Sequence, residues 1–368
     1  MNVFFLQLRR YDWLLMGAIL MLVAIGLISL YSLSGVSVFP FFQRQLVWAG
    51  IGIGLLALSS FIDFRLFRTQ SAVVFFFYMV SVALLAAILV VGARVRGVRA
   101  WFQIGGVALQ PVEGAKLALV IVLAKFFSKR HIEIYRIRHL VVSGLYLAVP
   151  MLLVLFQPDL GSAIVLMSVW LAVVLFSGMK LRHFFSLIMI GGAVALLSWS
   201  AVLLPYQKSR IASFLDPYRD PKGAGYQMIQ SMIAVGSGRV WGKGLGYGSQ
   251  SHLHFLPEPQ TDFIFAAYAE EWGYVGVLIL LTLFFIVLWR IVRIGVRAKD
   301  NFSRLFTLGF SALIATQAFI HIGMNMAIMP ITGITLPFVS YGGSSLVMSL
   351  VGIGIVQNIK INARREVE

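Results

Sequence analysis

The sequence predicts an all-α, polytopic membrane protein of about ten transmembrane helices, and three properties predict it. Of 368 residues, 60% are hydrophobic and only 12% are charged, and the mean hydropathy is +0.90. Soluble domains have about 45–50% apolar and about 25% charged residues, so this chain lacks the charge that a surface in water needs. Its apolar residues are also grouped in runs long enough to cross a bilayer.

The lengths of the apolar runs predict which of them span the membrane. A helix needs about 20 apolar residues to cross the roughly 30 Å hydrocarbon layer. The fourth and last runs are the shortest, and the first is too long for a signal-peptide core and lacks a convincing cleavage site, so we interpret it as a retained helix. The predicted spans are Trp13–Tyr31, Leu46–Phe61, Ala72–Gly92, Gly114–Phe127, His139–Phe156, Leu160–Ser177, Phe184–Leu204, Phe263–Trp289, Phe306–Met326 and Ser345–Ile359.

The orientation follows from the distribution of lysine and arginine, because cytoplasmic loops retain the positive charge. With the N-terminus inside, the inner segments hold 18 of these residues and the outer segments hold 10. Nine of the outer ten fall in only two loops, and the other outer connections are nearly empty of charge. We therefore expect both termini to be cytoplasmic.

The chain reads as one domain, residues 1–368, with one long extracytoplasmic loop at about 205–261. Loops of this length are usually functional or disordered. In the middle of the loop, apolar residues of Ala224–Val235 recur at helical spacing, which predicts a helix lying flat in the membrane interface. We expect the loop to fold against the outer membrane surface.

Composition also excludes several functions. The absence of cysteine removes disulfides, thiolate nucleophiles and cysteine metal sites. The net charge of +16 is dispersed between apolar runs, so we expect no nucleic-acid partner. The stretch Gly236–Gly248 lacks the spacing of a phosphate-binding loop, and His252 and His254 lack a third metal ligand nearby.

Ionisable side chains in spans are functional hypotheses by default, because each costs about 2.5–3.5 kcal/mol at the bilayer centre. Asp262 opens the eighth span from outside, with Glu270 and Glu271 about two turns further along. A carboxylate there either caps the helix or acts in catalysis, and both interpretations stay open. His321, late in the ninth span, is interpreted as a hydrogen-bonded packing residue.

Four further residues have a structural and a functional interpretation. Glu113 and Lys116 are three residues apart and share a helix face, where they pair with each other or face a substrate cavity. Asp159 follows Pro158 at a turn between spans, which favours a turn or a cap. Arg210 lies at the outer interface, where anchoring to lipid headgroups is the alternative.

The run NMAIMPITGITLPFVSYGGSS at Asn325–Ser345 resembles the signature of the SEDS family, the shape, elongation, division and sporulation proteins. The similarity extends in order along essentially the whole chain. The other matching segments are Tyr11–Leu15, Gln157–Ser162, Gly225–Gln227 and Thr261–Phe265, the last followed by Glu270 and Glu271.

The resemblance implies a peptidoglycan glycosyltransferase that polymerises lipid II at the outer face of a bacterial plasma (inner) membrane. It implies as partners lipid II, the nascent glycan strand, a class B penicillin-binding protein that crosslinks the product, and the membrane proteins of the elongation complex. WGKG at Trp241–Gly244, then Gln250 and Ser251, and the lack of long terminal extensions resemble the elongation branch more than the division branch.

The family's functional residues carry over by position. Its catalytic acid carries over to Asp262. The positions expected to bind substrate are Glu113, Lys116, Asp159, Arg210, Ser340, Ser344 and Ser345.

The implied chemistry needs one general base, because the diphosphate of lipid II is already a good leaving group. We expect Asp262 to deprotonate the acceptor hydroxyl in an inverting transfer, and partial desolvation and Glu270 to make it a stronger base. The departing diphosphate needs charge neutralisation by Arg210 and Lys116, with Arg44 and Arg99 as further candidates. A divalent cation, Mg²⁺ or Mn²⁺, is another candidate, although the sequence identifies no ligand set.

Two other function classes compete with the enzyme. A lipid II flippase also suits ten spans with charges at membrane depth, and helices broken near Pro158 or Pro337 resemble transporter sites. A non-enzymatic organiser would only recruit the crosslinking enzyme. Asp262 is dispensable for the organiser and required for the enzyme.

Overall fold

The computed structural model describes residues 10–34, 40–62, 65–95, 98–105, 107–129, 137–180, 182–187, 189, 191–193, 205–223 and 225–365. The helices are α1 (Trp13–Ser34), α2 (Phe41–Phe61), α3 (Arg65–Thr69), α4 (Ser71–Val91), α5 (Pro111–Ser128), α6 (Ile137–Phe156), α7 (Leu160–Phe176), α8 (Pro205–Leu215), α9 (Tyr226–Ser237), α10 (Ser249–His252), α11 (Ile264–Val296), α12 (Asn301–Asn325) and α13 (Gly343–Arg365). Three short strands, β1 (Ala93–Val95), β2 (Val98–Ile104) and β3 (Val107–Leu109), lie between α4 and α5.

The predicted all-α membrane fold is confirmed, but the count of ten spans is not. Among the described residues, seven helices are long and apolar enough to cross a membrane: α1, α2, α4, α6, α11, α12 and α13. Helix α5 has 18 residues but contains three charged side chains, and α7 has only 17 residues. The predicted span Phe184–Leu204 lies largely outside the described residues.

Helices α12 and α13 form the centre of the bundle. The buried share is 72% for the α12 span and 78% for the α13 span, against 22% for α2 and α6. Helix α12 packs against α5, α7 and α11, and α13 packs against α2. The outer helices expose large apolar side chains such as Leu20, Phe76 and Phe285, which suits contact with lipid tails.

The connection between α4 and α5 forms a small antiparallel sheet that the sequence did not predict. Strand β2 is central, with Trp101 opposite Ala93 of β1 and Phe102 opposite Leu109 of β3. The Arg99 guanidinium donates to the carbonyl of Leu89 at 2.9 Å, which ties the sheet to the end of α4.

Helix α11 is broken at Gly273, where φ is +63° and ψ is −164°. In an unbroken helix the amides of Tyr274 and Val275 would bond to the carbonyls of Glu270 and Glu271. Instead, all four groups bond to one stretch of the long outer loop. The amides donate to the carbonyls of Arg239 (2.8 Å) and Val240 (3.1 Å), and the carbonyls accept from the amides of Lys243 and Gly244 (both 3.0 Å). The loop therefore completes the backbone hydrogen bonding of the broken span, as an apolar environment requires.

The long loop is folded, and the helix expected at Ala224–Val235 forms as α9. One side of α9 packs against the protein. Met228, Ser231 and Ala234 are buried, and Met228 packs with Phe263 of the segment that leads into α11. Ile233 on the same helix is 44% exposed, so the expectation that α9 lies in the membrane interface stays a prediction.

Candidate functional site

The connection between α12 and α13, Ile331–Tyr341, brings the predicted site residues together. Its Ser340 hydroxyl accepts from the Leu336 amide at 2.8 Å and donates to the Thr261 carbonyl at 2.9 Å. The Tyr341 amide donates to the Gln260 carbonyl at 2.9 Å. The connection is thus fixed to the two residues that precede Asp262.

Asp262 lies beside Gly333 of this connection. A Cβ built on Gly333 would be 3.5 Å from the Asp262 Oδ2 atom, and Gly333 has φ of +74°. Helix α11 begins at Ile264 with Phe263 at its N-cap, so Asp262 is one residue outside the capping position. This placement does not support the capping interpretation. The Asp262 side chain is half-buried.

Arg210 reaches the same stretch of backbone from α8. Its Nη1 donates to the carbonyl of Ile331 at 3.3 Å, two residues before Gly333. The guanidinium remains exposed. An acidic and a basic residue that are 52 positions apart in sequence therefore meet at a stretch of three residues.

Asp159 has the structural role that its turn predicts. It is the N-cap of α7, and its Oδ1 accepts from the Ser162 amide at 2.9 Å. A Cβ on Gly161 would lie 3.0 Å from the Thr332 carbonyl oxygen, so the start of α7 packs against the connection that holds Gly333. Its predicted contact with substrate stays a prediction.

Glu113 and Lys116 form a buried ion pair in the first turns of α5. The Lys116 Nζ lies 2.8 Å from Glu113 Oε1, and the side chains are 2% and 7% exposed. The Gln110 amide, just before α5, donates to the Ser344 hydroxyl at 3.0 Å, which joins this helix start to the start of α13. The pair therefore satisfies itself and stands at the same end of the bundle as the signature residues.

The three predicted serines differ in their surroundings. Ser340 is buried and bonds to two backbone groups, as described above. Ser345 is buried and lies 3.0 Å from the hydroxyl of Thr335. Ser344 is half-buried and accepts from Gln110. All three help to order the connection, and their binding of substrate stays a prediction.

Glu270 and Glu271 bond to the long loop. Glu270 accepts from the Lys243 ammonium at 2.7 Å and from the amides of Gln250 (3.0 Å) and Ser251 (3.2 Å). Glu271 accepts from the Ser32 hydroxyl at 2.5 Å and pairs with His252 at 3.1 Å. Lys243 is thus the cation paired with Glu270, and the expected effect of Glu270 on Asp262 stays a prediction.

The two further arginine candidates lie at different places. Arg44 of α2 neighbours Tyr341; burial raises the pKa of Tyr341, and the Arg44 guanidinium opposes that rise. The Tyr341 ring also packs edge-on against Phe41, with centroids 5.0 Å apart. Arg99 is bound to the end of α4 instead. Arg44 is therefore the better placed of the two.

Two residues of α12 were not predicted as site residues but contact the site. His321 donates from Nδ1 to the Ile334 carbonyl at 2.6 Å, which confirms it as a hydrogen-bonded packing residue. Asn325 donates to the Asp262 carbonyl at 3.0 Å. Their sequence signal is two polar residues four apart on an apolar helix, of which Asn325 also opens the signature run Asn325–Ser345.

Within the part of the chain that the structure describes, no three His, Asp or Glu side chains converge as a metal site. The expectation of a divalent cation stays a prediction.

A family model described as "Cell cycle protein", FtsW/RodA/SpoVE, matches residues 12–365. Stage V sporulation protein E of Bacillus subtilis is 39% identical over 366 residues, which cover 96% of this chain and 98% of that protein. The peptidoglycan glycosyltransferase MrdB of Escherichia coli K12 is 37% identical over 317 residues, covering 86% and 85%.

A solved structure is also similar in fold. It is a structure of a peptidoglycan synthase complex, described by the words "structural coordination of polymerization and crosslinking". One of its chains matches with a TM-score of 0.81 and 36% identity, over 96% of this chain and 98% of that chain.

Proposed function

The chain belongs to the FtsW/RodA/SpoVE family, and from that premise we propose that it is a peptidoglycan glycosyltransferase that polymerises lipid II, with Asp262 as the general base. One observation carries the assignment of the base. The Asp262 carboxylate stands outside the capping position of α11, half-buried, against a glycine whose lack of a side chain leaves room beside it.

The proposed reaction is a single displacement at the anomeric carbon of the donor sugar. The acceptor hydroxyl oxygen forms the new glycosidic bond, its proton passes to Asp262, and the bond to the diphosphate breaks. The α-linked donor thereby becomes a β-linked glycan. Because diphosphate leaves without protonation, the second carboxylate of glycoside hydrolysis is unnecessary.

The diphosphate's charge is assigned to the cations near the connection. Arg210 presents an exposed guanidinium beside Ile331, and a guanidinium binds phosphate oxygens through paired hydrogen bonds. Lys116 is a second candidate, and its ammonium forms an ion pair with Glu113. We assign no step to a metal ion.

We propose that the enzyme acts in cell elongation, as RodA does, rather than in division, as FtsW does. The support is the resemblance of Trp241–Gly244, Gln250 and Ser251 to the elongation branch. In the structure, Lys243 and Gln250 bond to the Glu270 carboxylate, and the amides of Lys243 and Gly244 bond to the carbonyls at the break in α11. The residues that resemble the elongation branch therefore have a structural role here. We also propose a class B penicillin-binding protein and the elongation-complex membrane proteins as partners, and the similar synthase-complex chain supports the former.

We place the protein in the bacterial plasma membrane with both termini cytoplasmic and Asp262 outside. The Lys and Arg distribution supports the orientation, and exposed aromatic side chains support the placement in a membrane, because tryptophan and tyrosine favour both membrane interfaces. Trp13 and Trp289 mark one end of the bundle, and Tyr31 and Tyr274 mark the other. The 18-residue interval in α1 corresponds to about 27 Å, close to the hydrocarbon thickness.

The orientation is tested with introduced cysteines, since the chain has none. A membrane-impermeant maleimide should label Lys222→Cys in intact spheroplasts. It should label Lys299→Cys only after permeabilisation. The reverse pattern would overturn the assigned orientation.

The activity is tested with purified full-length protein and labelled lipid II in detergent. We expect glycan strands from the wild type and from Asp216→Asn, an acid of the same loop that caps a short 3₁₀ turn. Asp262→Asn should be slower by about 10²–10⁴, the usual contribution of a general base. Equal polymer from wild type and Asp262→Asn would reject the base.

The same preparation separates the competing functions. An organiser forms no polymer in the presence or absence of its partner transpeptidase. A flippase forms none but moves labelled lipid II across vesicle membranes. Either result from a folded wild-type protein would reject the enzyme.

A further inference from the structure

The last two turns of α12 present two fully buried polar side chains to the site. His321 and Asn325 are each 0% exposed, and they are one helical turn apart. Each bonds to the backbone of a different segment, and these two segments bracket the Asp262 carboxylate.

Asn325 holds the segment that carries Asp262. Its Nδ2 donates to the carbonyls of Asp262 (3.0 Å) and His321 (2.8 Å), and its Oδ1 accepts from the Ala266 amide at 3.1 Å. Carbonyls only accept and an amide N–H only donates, so the three bonds fix the orientation of the Asn325 side chain. The residue clamps both ends of the turn that enters α11.

His321 holds the opposite segment. Its Nδ1 bonds to the Ile334 carbonyl, so Nδ1 carries the proton. Among the described residues, Nε2 is buried with no hydrogen-bond partner, which suits a neutral ring. Ile334 follows Gly333, the residue against which the Asp262 carboxylate lies.

We propose that His321 and Asn325 are positioning residues for Asp262, a role that rests on the proposed function. Asn325 sets the main chain from which the carboxylate projects, and His321 sets the main chain against which it lies. Both side chains project from one rigid helix, so their bonds keep the two segments in register. A displacement of about 1 Å at a reacting group costs on the order of 10² in rate.

The experiment compares kcat and KM for labelled lipid II with thermal unfolding, in purified full-length protein. Asn325→Ala should lower kcat about 10–100-fold with KM changed less than about twofold. His321→Asn keeps an N–H donor at the δ position, whereas His321→Leu removes it. We expect most of the wild-type kcat from His321→Asn and a loss like that of Asn325→Ala from His321→Leu.

The matched control is Gln317→Met, which removes another buried polar group from α12, one turn before His321. The Gln317 Nε2 has no hydrogen-bond partner among the described residues, so its loss should leave kcat unchanged and stability unchanged or higher. Wild-type kcat in Asn325→Ala and His321→Leu would overturn the proposal. An equal fall of kcat in Gln317→Met would overturn it as well.

Hydrogen exchange gives a readout that does not need activity. The Ala266 amide should exchange faster in Asn325→Ala than in the wild type, while the membrane-spanning part of α11 keeps its protection. Unchanged exchange at Ala266 contradicts the clamp, whether or not the protein polymerises lipid II. Absence of polymer from the wild type, with the exchange result as expected, would reject the proposed function alone. If Asn325→Ala does not fold, the comparison of kcat between His321→Asn and His321→Leu tests the proposal.

Discussion

Buried charges in this protein are paired with named partners. Lys116 neutralises Glu113, and Lys243 neutralises Glu270. Such pairs are costly to break, because removing one partner leaves a charge in an apolar setting. The pairing alone does not distinguish a structural pair from one that opens to bind a phosphate, so the distinction needs a double substitution.

Lys116→Met should destabilise the protein by about 3–5 kcal/mol, because Glu113 is left buried without its partner. The double variant Glu113→Gln with Lys116→Met removes both charges and should recover most of that loss. We expect the double variant to be stable but slower by at least about 10² in polymerisation, since Lys116 is proposed to face the diphosphate. The measurements are the melting temperature in detergent and the rate of glycan synthesis. Wild-type rate in the stable double variant would show that the pair is only structural.

At the scale of elements, the break in α11 and the long outer loop depend on each other. The break leaves two amides and two carbonyls without helical partners, and the loop backbone at Arg239–Gly244 supplies all four bonds. The Glu270 and Glu271 carboxylates then bond to the loop further along. The loop is therefore part of the bundle rather than an appendage, and its fold depends on the conformation of Gly273.

Gly273→Ala should destabilise the protein by about 2 kcal/mol or more. Its φ and ψ are in a region that only glycine adopts readily, and a Cβ would lie 2.3 Å from the Gly242 nitrogen. The control is Gly236→Ala in α9, where a Cβ meets nothing within 4 Å and the helix should gain up to about 1 kcal/mol. Thermal unfolding in detergent compares the two. Equal melting temperatures would contradict the coupling of break and loop.

At the scale of the whole molecule, Asp12 joins three helices at the end opposite the site. Its carboxylate accepts from Arg290 of α11 and pairs with Lys360 of α13 at 3.2 Å, while Asp12 itself precedes α1. Burial by itself would raise the pKa of Asp12. The hydrogen bonds from Arg290 and the Leu15 amide and the charge of Lys360 outweigh it and hold the pKa below 3.8.

A lowered pKa in the folded state means that the Asp12 carboxylate stabilises the fold above its ordinary pKa and loses that effect as pH falls through the lower value. The wild-type melting temperature should therefore fall more steeply below about pH 4 than that of Asp12→Asn. At pH 7 the Asp12→Asn variant should be less stable by about 3 kcal/mol, because two cations lose their partner. Parallel curves of melting temperature against pH would contradict this role.

The sequence determined the class of fold and the family. Apolar runs of about 20 residues form α-helices in a bilayer, because every backbone N–H and C=O group must be hydrogen-bonded within the segment. The ordered motifs from Tyr11 to Ser345 then identified the family, and the polar residues inside apolar runs identified the candidate site. These properties belong to short segments of the sequence, so they can be recognised without knowledge of any tertiary contact.

Tertiary structure shows the partners of each polar residue. The sequence left Asp262 equally open as cap or catalyst, and the start of α11 at Ile264 places it one residue outside the capping position, while its catalytic role stays a proposal. Only the folded structure shows that the Glu270 carboxylate pairs with Lys243 of the long loop, and that Met228 of α9 packs in a cluster with Phe263 and Met324. In the sequence, Asn325 is only one residue of the family signature. Its contact with the site follows from its hydrogen bonds to Asp262 and Ala266 in the folded protein. A side chain's partner depends on segments distant in the chain, and periodicity along one helix does not contain that information.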